Sequence, residues 1–210
     1  LVIIICIISK SQKLYKKMKK NIIITGGLGY IGTELCKIYS GISWNNKITV
    51  IDNRFISERV NQLRNWNINF VHGNILDKDL INKYCKDADI VHHLAGVTDV
   101  PRVKSEASEE KDKIIETVAK EGTQNIIDVI DDKCKIILPS THVVYEGIEK
   151  VKNDILEDEE TKPVLSYANS KAINEKQLKN SGKNYIILRL GSVYGYSTDT
   201  ARIDIMPNLF

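Results

Sequence analysis

Short unbroken apolar runs alternate with helix-period patterns along most of the chain. Ile22–Thr25, Lys47–Ile51, Ile68–Val71 and the segments ADIVHHLAG (88–96), KIILPS (135–140) and NYIILRL (184–190) read as strands. Between them, Tyr30–Ser40, Ser57–Asn65, Asp77–Tyr84, Ser105–Asp131 and Val164–Lys179 read as helices. Ile31, Leu35 and Ile38 recur at helical spacing in the first, and Ile115, Val118, Ile126 and Ile130 stripe the long one. Asp77 stands where an N-cap belongs. The strand runs are continuous rather than alternating, so burial on both faces is expected. Strands of that kind, separated by helices, make a parallel sheet covered on both sides. The fold class is therefore a doubly wound α/β domain.

Composition narrows the function classes. At 210 residues the chain can bury one sizeable core. A net charge of +3, with no basic stripe interleaved with aromatics, gives no footprint for nucleic acid. Cys6, Cys36, Cys85 and Cys134 lie far apart with no CxxC pair. Neither a disulfide framework nor a metal site is expected, and a reducing, cytoplasmic setting fits. The first segment, LVIIICII, is apolar but far short of the roughly 20 residues that span a bilayer. It also lacks the basic flank and cleavage site of a signal peptide, so no membrane partner is expected. Residues 1–17 are expected to lie outside the fold, either as upstream sequence before a natural start at Met18 or as a disordered tail. The acidic stretch Asp154–Glu160 reads as a solvated loop.

The stretch NIIITGGLGYIG (21–32) carries the first chemistry. Gly26, Gly29 and Gly32 fit G-x-x-G-x-x-G, and Gly27, Gly29 and Gly32 fit G-x-G-x-x-G. Such glycines serve a tight turn, or a turn that also seats phosphates at a helix N-terminus. Context favours the second reading. The motif follows a strand and opens a helix, and the next strand ends in Asp52, about 20 residues past Gly32. A carboxylate there accepts from ribose hydroxyls and repels a 2′-phosphate, which favours NAD over NADP. Arg54, two residues on, is of the type that holds such a phosphate.

A second constellation lies late in the chain. SYANSK places Tyr167 and Lys171 four residues apart, on one face of a helix. A nearby ammonium favours the phenolate, so Tyr167 becomes a candidate general base. The spacing alone is weak, because Tyr15 and Lys19 repeat it in the polar N-terminal segment. Ser140 and Thr141, in PSTHVVYEG, end the fifth strand, where open α/β sheets bind ligands. Either hydroxyl could align a reacting oxygen, or simply belong to a strand-end turn.

Taken together, TGGLGYIG, VIDN, HHLAG, PSTHVVYEG, YANSK and LRLGSVYG resemble, in order, the landmarks of the extended short-chain dehydrogenase/reductase family. These are NAD-dependent nucleotide-sugar epimerases and dehydratases. The likeness covers roughly residues 20 to 196. It implies a Rossmann-type domain over 18–196, and 197–210 as the start of a substrate-binding region most of which would lie further on, as in a partial chain. It implies Thr141, Tyr167 and Lys171 as the catalytic set. Around the cofactor it implies Gly26, Gly29, Tyr30, Ile31, Gly32, Asp52 and Asn53. Asn74 and Ile75 would lie beside the adenine, and Leu94, Ala95 and Gly96 along the cofactor, with Tyr167 and Lys171 also touching it.

Departures from the family pattern refine the expectation. Asn74 stands where the family often has Asp, and Ala119 where an asparagine usually precedes Gly122 by three residues. Ser192 replaces another asparagine. Dehydratases of this family carry an Asp–Glu pair after the catalytic threonine, whereas His142 and Val143 follow Thr141 here. The sequence thus points to an NAD-dependent nucleotide-sugar epimerase. A reductase or dehydrogenase of the same family, and a cofactor-binding protein without catalysis, are the alternatives. A homodimer through the long helix and the Tyr167 helix is implied by the resemblance alone.

Overall fold

The structure is a computed structural model that describes residues 19–42, 46–98, 109–149, 152–195 and 197. Six strands form one parallel sheet: β1 (Asn21–Thr25), β2 (Lys47–Asp52), β3 (Asn69–His72), β4 (Ile90–His93), β5 (Lys135–Thr141) and β6 (Asn184–Leu190). Their spatial order is β3-β2-β1-β4-β5-β6. The crossovers contain α1 (Tyr30–Gly41), α2 (Ser57–Asn65), α3 (Lys78–Cys85), α4 (Glu109–Val129) and α5 (Ser166–Asn180). The order reverses between β1 and β4, so a crevice opens at the carboxyl ends of those strands.

The continuous apolar runs have the cause inferred from them. Ile22 and Ile24 of β1 point into one core, with Leu35 of α1 and Val60 and Leu63 of α2. Ile23, between them, points into the other, with Ile81 of α3, Ile126 of α4 and Leu178 of α5. Strand β1 therefore fills two cores. Burying an isoleucine contributes about 1.5–3 kcal/mol, so the sheet centre is where most of the stabilisation arises.

Element edges differ from the sequence reading for local reasons. Asp77 caps α3 as expected, its carboxylate accepting from the Leu80 N–H at 3.0 Å. The strand read from Ile68 begins at Asn69, because the Ile68 N–H is drawn back to the Leu63 carbonyl at 2.9 Å. Helix α5 begins at Ser166 instead of Val164, because the Glu146 carboxylate takes the N–H groups of Val164 (3.0 Å) and Leu165 (2.8 Å). Helix α4 is described from Glu109, so the expected start at Ser105 lies outside the described residues. So do Met18, Cys6, residues 1–17 and most of 197–210.

Candidate active site

The loop between β1 and α1 is shaped by its glycines. Gly26 has φ of +70°, a conformation that L side chains resist, and a Cβ there would lie 2.7 Å from the Ala95 backbone nitrogen. Gly32 brings the first turn of α1 onto the loop, and a Cβ there would meet the Gly26 carbonyl oxygen at 2.6 Å. Of the two glycine spacings, the one that starts at Gly26 thus carries the positive φ. Helix α1 has no side-chain cap and no acidic residue in its first turn. Its leading N–H groups and the positive end of its dipole are directed at the crevice.

Asp52 closes β2 with its side chain almost fully buried. Its Oδ2 accepts from the Leu28 N–H at 2.9 Å, which ties the strand end to the glycine loop. Its Oδ1 accepts from the Arg54 N–H at 2.9 Å and from Arg54 Nε at 3.3 Å. Further round, Asn74 forms a turn in which its side-chain oxygen accepts from the Leu76 N–H at 3.0 Å. Ile75 is buried against α4, where Gly122 admits its side chain and Asn125 donates to its carbonyl at 3.0 Å.

The other end of the crevice is built by β5 and α5. Thr141 is the last residue of β5. Its hydroxyl oxygen accepts from the Val143 N–H at 3.4 Å, which leaves its proton available to donate. Ser140 differs: its hydroxyl proton is committed to Glu175 at 2.6 Å. Lys171 is buried on α5, with Nζ 5.9 Å from the Tyr167 ring centre. Burial pushes its ammonium down to about 8. The same ammonium stands 3.8 Å from where a Cβ on Gly96 would be, so the loop after β4 meets the Lys171 side chain.

Two buried polar networks hold α5 in place, and sequence reasoning identified neither. In the first, His93 Nδ1 shares a 2.9 Å hydrogen bond with the Thr25 hydroxyl, and its Nε2 a 2.9 Å bond with the Thr123 hydroxyl. Asn174 of α5 then donates to Thr123 Oγ1 and to the Ala119 carbonyl, each at 2.8 Å. The backbone at Ala119 is therefore anchored by an amide from the facing helix. Burial, aided by the Lys171 charge, pushes His93 down to about 3, so it is neutral. In the second network, Glu175 receives Ser140 and a two-pronged Arg189, with Nη2 to Oε2 at 2.6 Å and Nε to Oε1 at 3.0 Å. Burial acts to raise the Glu175 carboxyl, but the bonds from Arg189 and Ser140 outweigh it and hold it below the usual range.

The catalytic and cofactor-binding residues implied by the family resemblance meet in one cavity of about 780 Å³, and Gly27 of the second glycine spacing does not line it. Gly26, Gly29, Tyr30, Ile31 and Gly32 line one wall, with Asp52, Asn53, Asn74 and Ile75 at one end. Leu94, Ala95 and Gly96 run along the floor, and Thr141, Tyr167 and Lys171 line the other end. Arg54, Arg59, Ser140, Leu190 and Gly191 join them. The Tyr30 hydroxyl donates to the Gly195 carbonyl, which links α1 to the segment after β6. His142, which follows Thr141 where the family's dehydratases carry an acid, is exposed and shares a 3.1 Å hydrogen bond with the Leu190 carbonyl. Among the described residues no cluster of His, Cys, Asp or Glu suits a metal ion, and no helix is long and apolar enough to cross a membrane.

Comparison with known proteins shows the family. A UDP-N-acetyl-alpha-D-glucosaminuronate decarboxylase of Bacillus cytotoxicus is 30% identical, over 85% of this chain and 56% of its own length. A dTDP-D-glucose 4,6-dehydratase of Dictyostelium discoideum is also 30% identical, over 84% of this chain and 44% of its own. The chain thus spans about half the length of these curated relatives. Among solved structures, a UDP-glucuronic acid 4-epimerase of Bacillus cereus, in complex with UDP-glucuronic acid and NAD, superposes with a TM-score of 0.70. It is 26% identical, and the match covers 91% of this chain and 61% of that one. The model of the NAD dependent epimerase/dehydratase family matches residues 22–208, and the chain belongs to that family.

Proposed function

We propose that this chain is the cofactor-binding part of an NAD-dependent nucleotide-sugar epimerase. One observation carries the reading: Thr141, Tyr167 and Lys171 line the same cavity as the glycine loop and Asp52. The residues suit a dinucleotide. Uncapped N–H groups at the start of α1 offer a pyrophosphate seat, and the glycines keep that wall free of side chains. Asp52 and Asn53 border the adenosine end, and Lys171 the nicotinamide end. Bound there, NAD would supply the hydride acceptor and return the hydride.

The remaining steps belong to the protein. Tyr167, with the buried Lys171 ammonium beside it, takes the proton of a sugar hydroxyl. Thr141 donates its free hydroxyl proton to the same oxygen and holds it in line, a role closed to Ser140 by its bond to Glu175. Lys171 keeps a positive charge next to the phenol and would help to hold the nicotinamide end of the cofactor. Elimination of water would call for an added acid and base near Thr141. Among the described residues Asp52, at the far end, is the one carboxylate lining the cavity, which favours epimerisation over dehydration. The homodimer stays part of this reading on the family resemblance alone. Sedimentation as a monomer would remove it.

The test uses the whole protein, with NAD and a panel of UDP- and dTDP-linked sugars followed by proton NMR. An epimerase interconverts two sugars with no net absorbance change at the nicotinamide band. Net NADH formation would assign a dehydrogenase instead, and release of carbon dioxide the chemistry of the decarboxylase relative. Tyr167→Phe is expected to lower turnover by about 10²–10⁴-fold while cofactor still binds. Equal turnover in that variant would refute the mechanism.

A further inference from the structure

We propose that the cavity accepts NADP as well as NAD, with Arg54 holding the 2′-phosphate. The inference rests on the dinucleotide reading above and deepens it. A carboxylate at the end of β2 normally rejects that phosphate by charge and reserves its oxygens for the ribose hydroxyls. Asp52 is ill placed for either task. A carboxylate offers about four lone-pair positions, and three of them are directed at protein donors: the N–H of Leu28, the N–H of Arg54 and Nε of Arg54. Its charge is met at 3.3 Å by the Arg54 guanidinium.

The surrounding charge favours a further anion. Arg54 and Arg59 both line this end of the cavity, and Asp52 is the one carboxylate among the described lining residues. The local sum is one positive charge, next to a helix N-terminus that has no acidic residue in its first turn. Arg59 is fixed by donating to the Leu28 carbonyl. Arg54 reaches across the glycine loop, its Nη2 3.7 Å from where a Cβ on Gly29 would lie. Its side chain is 52% exposed and, among the described residues, is held by Asp52 through Nε, which leaves the far edge of the fork for an incoming ligand. A planar guanidinium with two parallel donors matches a phosphate monoester better than an ammonium does.

The test is calorimetric titration of the protein with NAD and with NADP, in the wild type, Arg54→Ala and Arg54→Lys. The wild type is expected to bind NADP within about tenfold of NAD. Arg54→Ala is expected to shift the NADP-to-NAD ratio of Kd by about tenfold or more against NADP, and Arg54→Lys by less, since the charge remains without the fork. Wild-type NAD binding with NADP weaker by about a hundredfold or more would overturn this inference alone. So would a ratio unmoved in Arg54→Ala. Failure to bind either dinucleotide would overturn the cofactor reading and this inference with it.

Discussion

The two halves of the sheet hold their candidate site groups by different means. In the first half, β1 and α1 present backbone, with the Asp52 side chain of β2 beside them. The glycine loop is shaped by sterics and seated on an apolar core of Ile22, Ile24, Leu28 and Val50. In the second half, β4, β5 and α5 present side chains. Their placement depends on buried polar partners, Thr123 and Asn174 in one network, Glu175 and Arg189 in the other. A backbone site tolerates few residue types but needs few partners. A side-chain site uses ordinary residue types and depends on every partner being present.

The largest expected effect breaks the second half. Arg189→Met leaves the Glu175 carboxylate buried without its main counter-charge, and should cost about 3–5 kcal/mol in denaturant unfolding. Pairing it with Glu175→Met should recover most of that loss. If the double variant is no more stable than the single one, the account of a buried charge pair is wrong.

The first half should break more locally. Gly26→Ala forces a Cβ against the Ala95 backbone at a positive φ, with an expected cost of about 1–3 kcal/mol and loss of dinucleotide binding. Normal binding by that variant would show that the loop does not touch the ligand.

Acid acts on both halves, because β4 sends His92 to the Tyr39 hydroxyl of α1 and His93 into the network of the second half. The folded value of His93 is depressed to about 3 against an ordinary 6.5, so the unfolded chain takes up the proton first. The stability it contributes is complete above 6.5 and is lost as pH falls towards 3. At about pH 5 the loss should be on the order of 2 kcal/mol. His93→Gln should reduce the slope of that part of the stability–pH curve and leave the share of His92, which burial depresses to about 4, and an unchanged slope would count against the assignment. Smallest is Glu146→Ala, which removes the carboxylate from the N-terminus of α5 and should cost about 1 kcal/mol by thermal melting. No change would mean that the first turn of α5 is held by other contacts.

The same division explains what could be read from the sequence. Gly26 to Gly32 were legible because a positive φ and close backbone approach restrict residue type at fixed local spacing. Tyr167 and Lys171 were legible because both lie on one turn of one helix. Asn174 and Glu175 were not. They sit in NEKQLKN, which reads as a solvated helix face, yet both are buried. Their partners Thr123 and Arg189 lie 51 and 14 residues away, distances that no local pattern encodes. The available signal was faint: α5 has few apolar positions for a helix that must pack on a sheet, so polar residues had to fill its inner face. Likewise, Asp52 reads as a free ribose acceptor until the structure places Arg54 on one of its oxygens.

The central claim is that both halves hold one dinucleotide between them, and a crystal structure of the protein with NAD tests it most directly. The account predicts the pyrophosphate on the N–H groups at the start of α1 and the nicotinamide within reach of Tyr167 and Lys171. A cofactor bound elsewhere, or lying against α1 with its nicotinamide turned away from α5, would contradict it.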